Sequence, residues 1–186
     1  MKSKVPVVAG LLGLIFYAVI WTWFQSQQKP VNPTEGSLPY NATGYGPAHD
    51  ISIITPDNKN VSLSSLKGKV VLVDFWGTWC NPCMQSIPGI EAVYNLYHAK
   101  GMEVMGVALE NDNGSKVKSV AAKLGVTYTV GLATKREDLD AYKPDSLPMM
   151  YIVDKKGIIR YKQIGFDPAV GETEINVVVK KLLEES

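Results

Sequence analysis

Val73-Asp74-Phe75-Trp76-Gly77-Thr78-Trp79-Cys80-Asn81-Pro82-Cys83 holds both cysteines of a 186-residue chain. A loop this short makes a poor staple: closing about four residues constrains the unfolded chain by only ~2 kcal/mol, against ~4–5 for a loop of about 100. Two neighbouring thiols are better suited to being opened and closed, because one resolves the mixed disulfide formed by the other. The apolar run before the pair ends as a helical pattern begins, which sets Cys80 and Cys83 at a helix N-terminus. Unsatisfied N–H groups and roughly half a positive charge favour a thiolate there. Cys80, at the exposed end of that helix, is the expected attacking sulfur. Cys83 shares a stripe with Ile87 and Ile90, so it is expected to face inward and resolve. Pro82 lacks an N–H, which costs little in a first helical turn.

Asp74 interrupts an otherwise apolar strand, where an ionised carboxylate is expensive to bury. Desolvation is expected to raise its pKa and make it a proton acceptor for the inward thiol. The competing expectation is a carboxylate satisfied by a backbone donor or a buried lysine. Trp76 and Trp79, beside the sulfur, are expected to border a substrate surface rather than to fill the core.

Outward from this segment the pattern is α/β. A strand, a turn and a returning strand are expected over 51–63, and a doubly buried strand over 69–75. Cys83, Ile87, Ile90, Tyr94 and Tyr97 mark a helix, and 102–109 a second buried strand. Val117 to Leu124 suggest a helix, 126–132 a strand, and 135–142 a short helix. A hairpin flanks Asp154-Lys155-Lys156-Gly157, and Ile175 to Leu182 carry a closing helix. The implied architecture is a mixed sheet with helices on both faces.

Upstream, residues 1–4 read as a cytoplasmic N-terminus. Residues 5–24 are uncharged and span roughly 30 Å as a helix, which reads as an uncleaved transmembrane signal anchor. Residues 25–50, rich in proline and glycine, read as a flexible tether. The domain of 51–186 would then work outside the cytoplasm, at the periplasmic side of the cell membrane, where thiols meet oxidising conditions. With 19 Lys+Arg against 18 Asp+Glu, no charge surplus points to nucleic acid.

The 73–83 segment resembles the active-site segment of thioredoxin-fold proteins. Asp74 falls at the place of their buried acid and Pro88 at that of the proline that kinks their active-site helix. Together with the anchor, the first hairpin and the extra strand–helix unit, the chain is most similar to the TlpA-like group, extracytoplasmic thiol–disulfide oxidoreductases that include reductants of cytochrome c maturation. The resemblance implies a cis peptide before Pro148, packed against the disulfide, with Leu147 offering its backbone to an extended substrate strand. It implies no cofactor and no metal. It implies protein disulfide substrates, apocytochrome c among them, and an integral-membrane thiol electron donor. Asn81-Pro82 is closer to the central dipeptides of reducing members than to those of strong oxidants, so reduction is expected and disulfide donation is the alternative. Ser86 stands where several cytochrome-maturation members carry glutamate, which leaves the acid role to Asp74. Copper binding is disfavoured because His49 and His98 both lie far from the pair. A peroxidase lacks its usual threonine and arginine near Cys80, and a non-catalytic binding module with a structural disulfide is the alternative from a different class.

Overall fold

The computed structural model describes residues 40–111 and 114–185. The expected anchor and residues 25–39 of the expected tether lie outside the described residues. Among the described residues no helix is long and apolar enough to cross a membrane.

Seven strands form one sheet in the order β2-β1-β5-β4-β3-β6-β7. They are β1 (Ser52–Ile54), β2 (Asn60–Ser62), β3 (Val70–Trp76), β4 (Met102–Ala108), β5 (Thr129–Ala133), β6 (Met149–Val153) and β7 (Ile159–Ile164). β3, β4 and β5 run parallel, while β6, β7 and the β1–β2 hairpin are antiparallel additions. Every residue of β3 is buried, as its apolar run, broken only by Asp74, demands of a strand covered on both faces. The helices are α1 (Asn81–Tyr97), α2 (Ser115–Lys123), α3 (Arg136–Tyr142) and α4 (Gly171–Glu184).

Side-chain alternation divides the core. Val70, Leu72 and Trp76 of β3 join Cys83, Ile87 and Ile90 of α1, Val117 of α2 and Val178 of α4 in one apolar cluster. Val71, Val73 and Phe75 point the other way, toward Tyr142 of α3 and Leu63 of a 3-10 turn, Leu63–Leu66. Three helices therefore cover one face, and α3 with the turn covers the other. The strand–helix–strand steps β3-α1-β4-α2-β5 move across the sheet in one direction, and crossovers of one hand lay α1 and α2 on the same side. Asp74, by the same alternation, faces the α1 layer. Helix α1 continues into a 3-10 turn that ends at Gly101, whose φ of 100° is left-handed backbone that suits glycine.

The expected tether is shorter than residues 25–50. Tyr40 pairs with Tyr161 and Pro47 with Ile158 as isolated β-bridges on the edge of β7. The Asn41 N–H donates to the Arg160 carbonyl at 2.7 Å and the Tyr45 N–H to that of Ile159 at 2.8 Å. Residues 40–50 thus belong to the folded part. Their prolines and glycines suit an irregular strand that caps an open sheet edge, and such a partner leaves no apolar period in the sequence.

Candidate active site

β3 ends at Trp76, three residues turn, and α1 begins with Cys80 as its N-cap. The Cys80 and Cys83 sulfurs are joined at 2.07 Å. The Cys83 backbone N–H donates to the Cys80 sulfur at 3.3 Å. In the reduced protein that donor and the helix N-terminus would both favour a Cys80 thiolate. Asn81 and Pro82 are exposed in the first turn. Cys80 retains only 6% of its surface, against none for Cys83, so Cys80 is the outer sulfur of the pair but is not exposed as expected.

Four contacts hold the turn. The Cys80 N–H donates to the Gly77 carbonyl at 3.1 Å, and the Thr78 N–H donates to Glu110 Oε1 at 2.6 Å. The Trp79 indole N–H donates to the Leu109 carbonyl at 3.4 Å. Its ring lies against Gly77, where an added Cβ would come within 2.8 Å of the indole. Trp79 is nevertheless 66% exposed, an apolar ring with its polar end tied down. Trp76 departs from its expected place: at 1% exposure it is a core residue of the α1 face and borders no surface. Strand parity accounts for this, since 76 alternates with 74 toward the helix layer whereas 79 lies past the strand end.

Asp74 is fully buried, and neither of its carboxylate oxygens has a hydrogen-bond partner among the described residues. Among the described residues no backbone donor and no lysine satisfies it. Loss of hydration pushes its pKa from 3.8 up to about 7. Ser86, also fully buried, donates its hydroxyl to the Cys83 carbonyl at 2.9 Å, a helix-internal bond that brings no acid to the pair. The Leu147–Pro148 peptide is cis. It leads directly into β6, which pairs with β3, and the Pro148 carbonyl accepts from Gly165 N–H at 2.7 Å. Pro144, the other proline ahead of this hairpin, lies in the segment after α3. Among the described residues no group of three or more His, Cys, Asp or Glu side chains could hold a metal ion.

Glu110 went unread in the sequence. A carboxylate at the C-terminal end of a parallel strand is a usable signal, because sites in such sheets gather at those ends. Beside it opens a cleft of about 480 Å³, whose lining includes Leu109, Glu110, Leu132, Arg136, Leu139 and Lys143.

Residues 45–179 match the Redoxin family. The chain belongs to that family. Within it, the fold is thioredoxin-like and the chain is similar to TlpA-like thiol–disulfide oxidoreductases. It is 36% identical over 138 residues to Protein DipZ of Mycobacterium tuberculosis, covering 71% of this chain and 19% of DipZ. It is 35% identical over 101 residues to Thiol-disulfide oxidoreductase ResA of Bacillus subtilis, covering 54% of this chain and 56% of ResA. The matched part thus spans a fifth to about half of these curated relatives. Among solved structures, a putative thiol:disulfide interchange protein DsbE from Chlorobium tepidum superposes with a TM-score of 0.67 at 29% identity. That superposition covers 78% of this chain and 99% of the other.

Proposed function

We propose that this Redoxin-family chain reduces protein disulfides outside the cytoplasm, held at the membrane by residues 5–24 and working through the Cys80/Cys83 dithiol. The observation that carries the reading is the closed Cys80–Cys83 pair at a helix N-terminus, with a fully buried, unpartnered carboxylate on the same face of the sheet. A structural disulfide needs no such acid.

In the reduced protein the Cys80 thiolate attacks one sulfur of a substrate disulfide. A Cys80–substrate bond forms and one substrate thiolate leaves. Asp74 then takes the Cys83 proton, and the Cys83 thiolate attacks the Cys80 sulfur. The second substrate thiol is released and the Cys80–Cys83 bond closes. Two electrons pass to the substrate; its first thiolate takes a proton from solvent, its second takes the Cys83 proton held on Asp74, and an integral-membrane thiol donor returns the electrons. Asn81 and Pro82 lie between the two sulfurs and help to set their potential. Trp79 borders the docking surface. Leu147, before the cis Pro148, offers its backbone to an extended substrate strand. Apocytochrome c is one substrate of this kind. With Ser86 neutral, the proton falls to Asp74 in every case.

The potential of the Cys80–Cys83 couple in the full chain, equilibrated against glutathione or dithiothreitol, tests the direction of flow. A reductant is expected nearer the thioredoxin level of about −270 mV, whereas a value near −120 mV would make the chain a disulfide donor. Cys80→Ser is expected to abolish exchange and Cys83→Ser to trap the mixed disulfide. Retained activity in Cys80→Ser would leave a non-catalytic binding module.

A further inference from the structure

Buried polar side-chain atoms almost always find partners. Among the described residues three do not: the two carboxylate oxygens of Asp74 and the indole Nε1 of Trp76. Two are acceptors once ionised and the third is a donor only, so the unpaired groups are chemically complementary. They also share one place. Asp74 and Trp76 are two apart on β3, on the same face and roughly 7 Å apart along the strand.

The indole does not stand over its own neighbour on β4. Trp76 pairs in register with Ala108, and Asp74 pairs with Gly106. A Cβ built on Gly106 would nevertheless lie 3.2 Å from Trp76 Nε1. The indole therefore leans back along the sheet to the row of Asp74 and occupies the space that a side chain at 106 would take. Tyr128 closes the same spot, with its Cε2 3.4 Å from that position.

We infer that the Trp76 indole N–H is the hydrogen-bond donor kept for the ionised form of Asp74, reached directly or through one bridging water, with Gly106 leaving the indole room to serve it. Trp76 is a positioning residue in this scheme, since it acts through the carboxylate. The inference rests on the proposed role of Asp74 as the carboxylate that must already be ionised to take the Cys83 proton when the mixed disulfide is resolved. A neutral Asp74 tolerates a dry site, but a carboxylate formed there needs a donor. The titratable groups set around Asp74 are the Cys83 sulfur on α1, which is held in the disulfide when oxidised, and Tyr128 ahead of β5. Burial and the fields of Asp74 and Glu91 hold the Tyr128 hydroxyl far above its usual range, so it stays neutral. β4 and β6 bring Gly106 and Met150 against Asp74, and neither titrates.

The test uses the oxidised full chain, in which no exchange occurs, so its result stands apart from the reductase assay. With indole-15N tryptophan and 13C-labelled aspartate, the Trp76 N–H resonance is expected to move with pH at the same midpoint as the Asp74 carboxyl. In Asp74→Asn the indole signal is expected to be flat. Trp76→Phe is expected to raise the Asp74 midpoint by about one unit, a tenfold loss of the ionised form at a given pH below it. A Trp76 resonance that ignores the Asp74 titration overturns the inference without any variant. So does an Asp74 midpoint that is unmoved in Trp76→Phe.

Discussion

Asp74 and Arg160 are both buried charged residues in one sheet, and they are treated in opposite ways. Arg160, at the start of β7, is saturated. Its Nη1 reaches Asp154 Oδ2 at 3.0 Å and Glu185 Oε2 at 2.8 Å, its Nη2 reaches the Tyr40 hydroxyl at 2.7 Å, and its Nε reaches the Asn41 carbonyl at 3.1 Å. Asp154 is itself held by the Lys156 and Ile158 N–H groups, each at 2.9 Å. The cluster ties residues 40 and 41, the β6–β7 turn and the C-terminus of α4 together. It lies at the end of the sheet away from the disulfide, because Arg160 neighbours the β6 end that pairs with Val71, whereas Cys80 follows Trp76. Asp74, toward the disulfide end, has no partner among the described residues. A charge kept for structure is surrounded by opposite charges and donors, and a charge kept for chemistry is left costly and easily changed.

The largest effect should come from removing the costly charge. Folded Asp74 keeps its proton up to about pH 7, while the unfolded chain gives it up near 3.8. Between those values the native state holds more protons, so stability falls as pH rises through that window. At ~1.4 kcal/mol per unit, this amounts to on the order of 4 kcal/mol. Asp74→Asn should match wild type near pH 4 and exceed it by about that amount at pH 8 in urea unfolding, while mixed-disulfide resolution slows. A parallel loss of stability in both proteins would mean that Asp74 is satisfied after all, and the contrast with Arg160 would collapse.

Next in size is the saturated end. Arg160→Met leaves Asp154 and Glu185 without their cation and should cost about 3 kcal/mol. It should also release residues 40–50 to rapid amide exchange, with the Cys80–Cys83 potential unchanged. A shifted potential would show that the two ends are coupled.

The smallest effect sharpens the disulfide end. Glu110→Ala removes the acceptor of the Thr78 N–H and should cost about 1 kcal/mol. Trp79, next in the chain, should become more mobile, read from its fluorescence anisotropy. Unchanged Trp79 anisotropy would leave the Leu109 carbonyl as the sole tether of that ring.

Much of this was readable from local pattern. β3, α1 and the hairpin after the cis proline follow from apolar runs, a 3.6-residue stripe and turn residues. Asp74 stood out because one carboxylate in an apolar strand has no local explanation. The docked segment 40–50 was not readable, because most of its backbone partners lie in residues 157–161, more than 100 positions away. Glu110 left its place just after β4 as a signal, but its partner, the Thr78 N–H 32 positions earlier, is set only by the fold. Trp76 was misplaced by nearness in sequence to Cys80, although the parity of β3 already pointed it inward.

By itself the sequence determined the strand–helix frame, the two sulfurs at the start of α1 and the odd carboxylate behind them, since each depends on neighbours within one element. Only the tertiary structure decided that Asp74 has no partner among the described residues, that the Trp76 indole leans back to its row and that residues 40–50 dock beside β7. Burial and hydrogen-bond satisfaction are properties of surfaces brought together from distant parts of the chain, and no local pattern contains them.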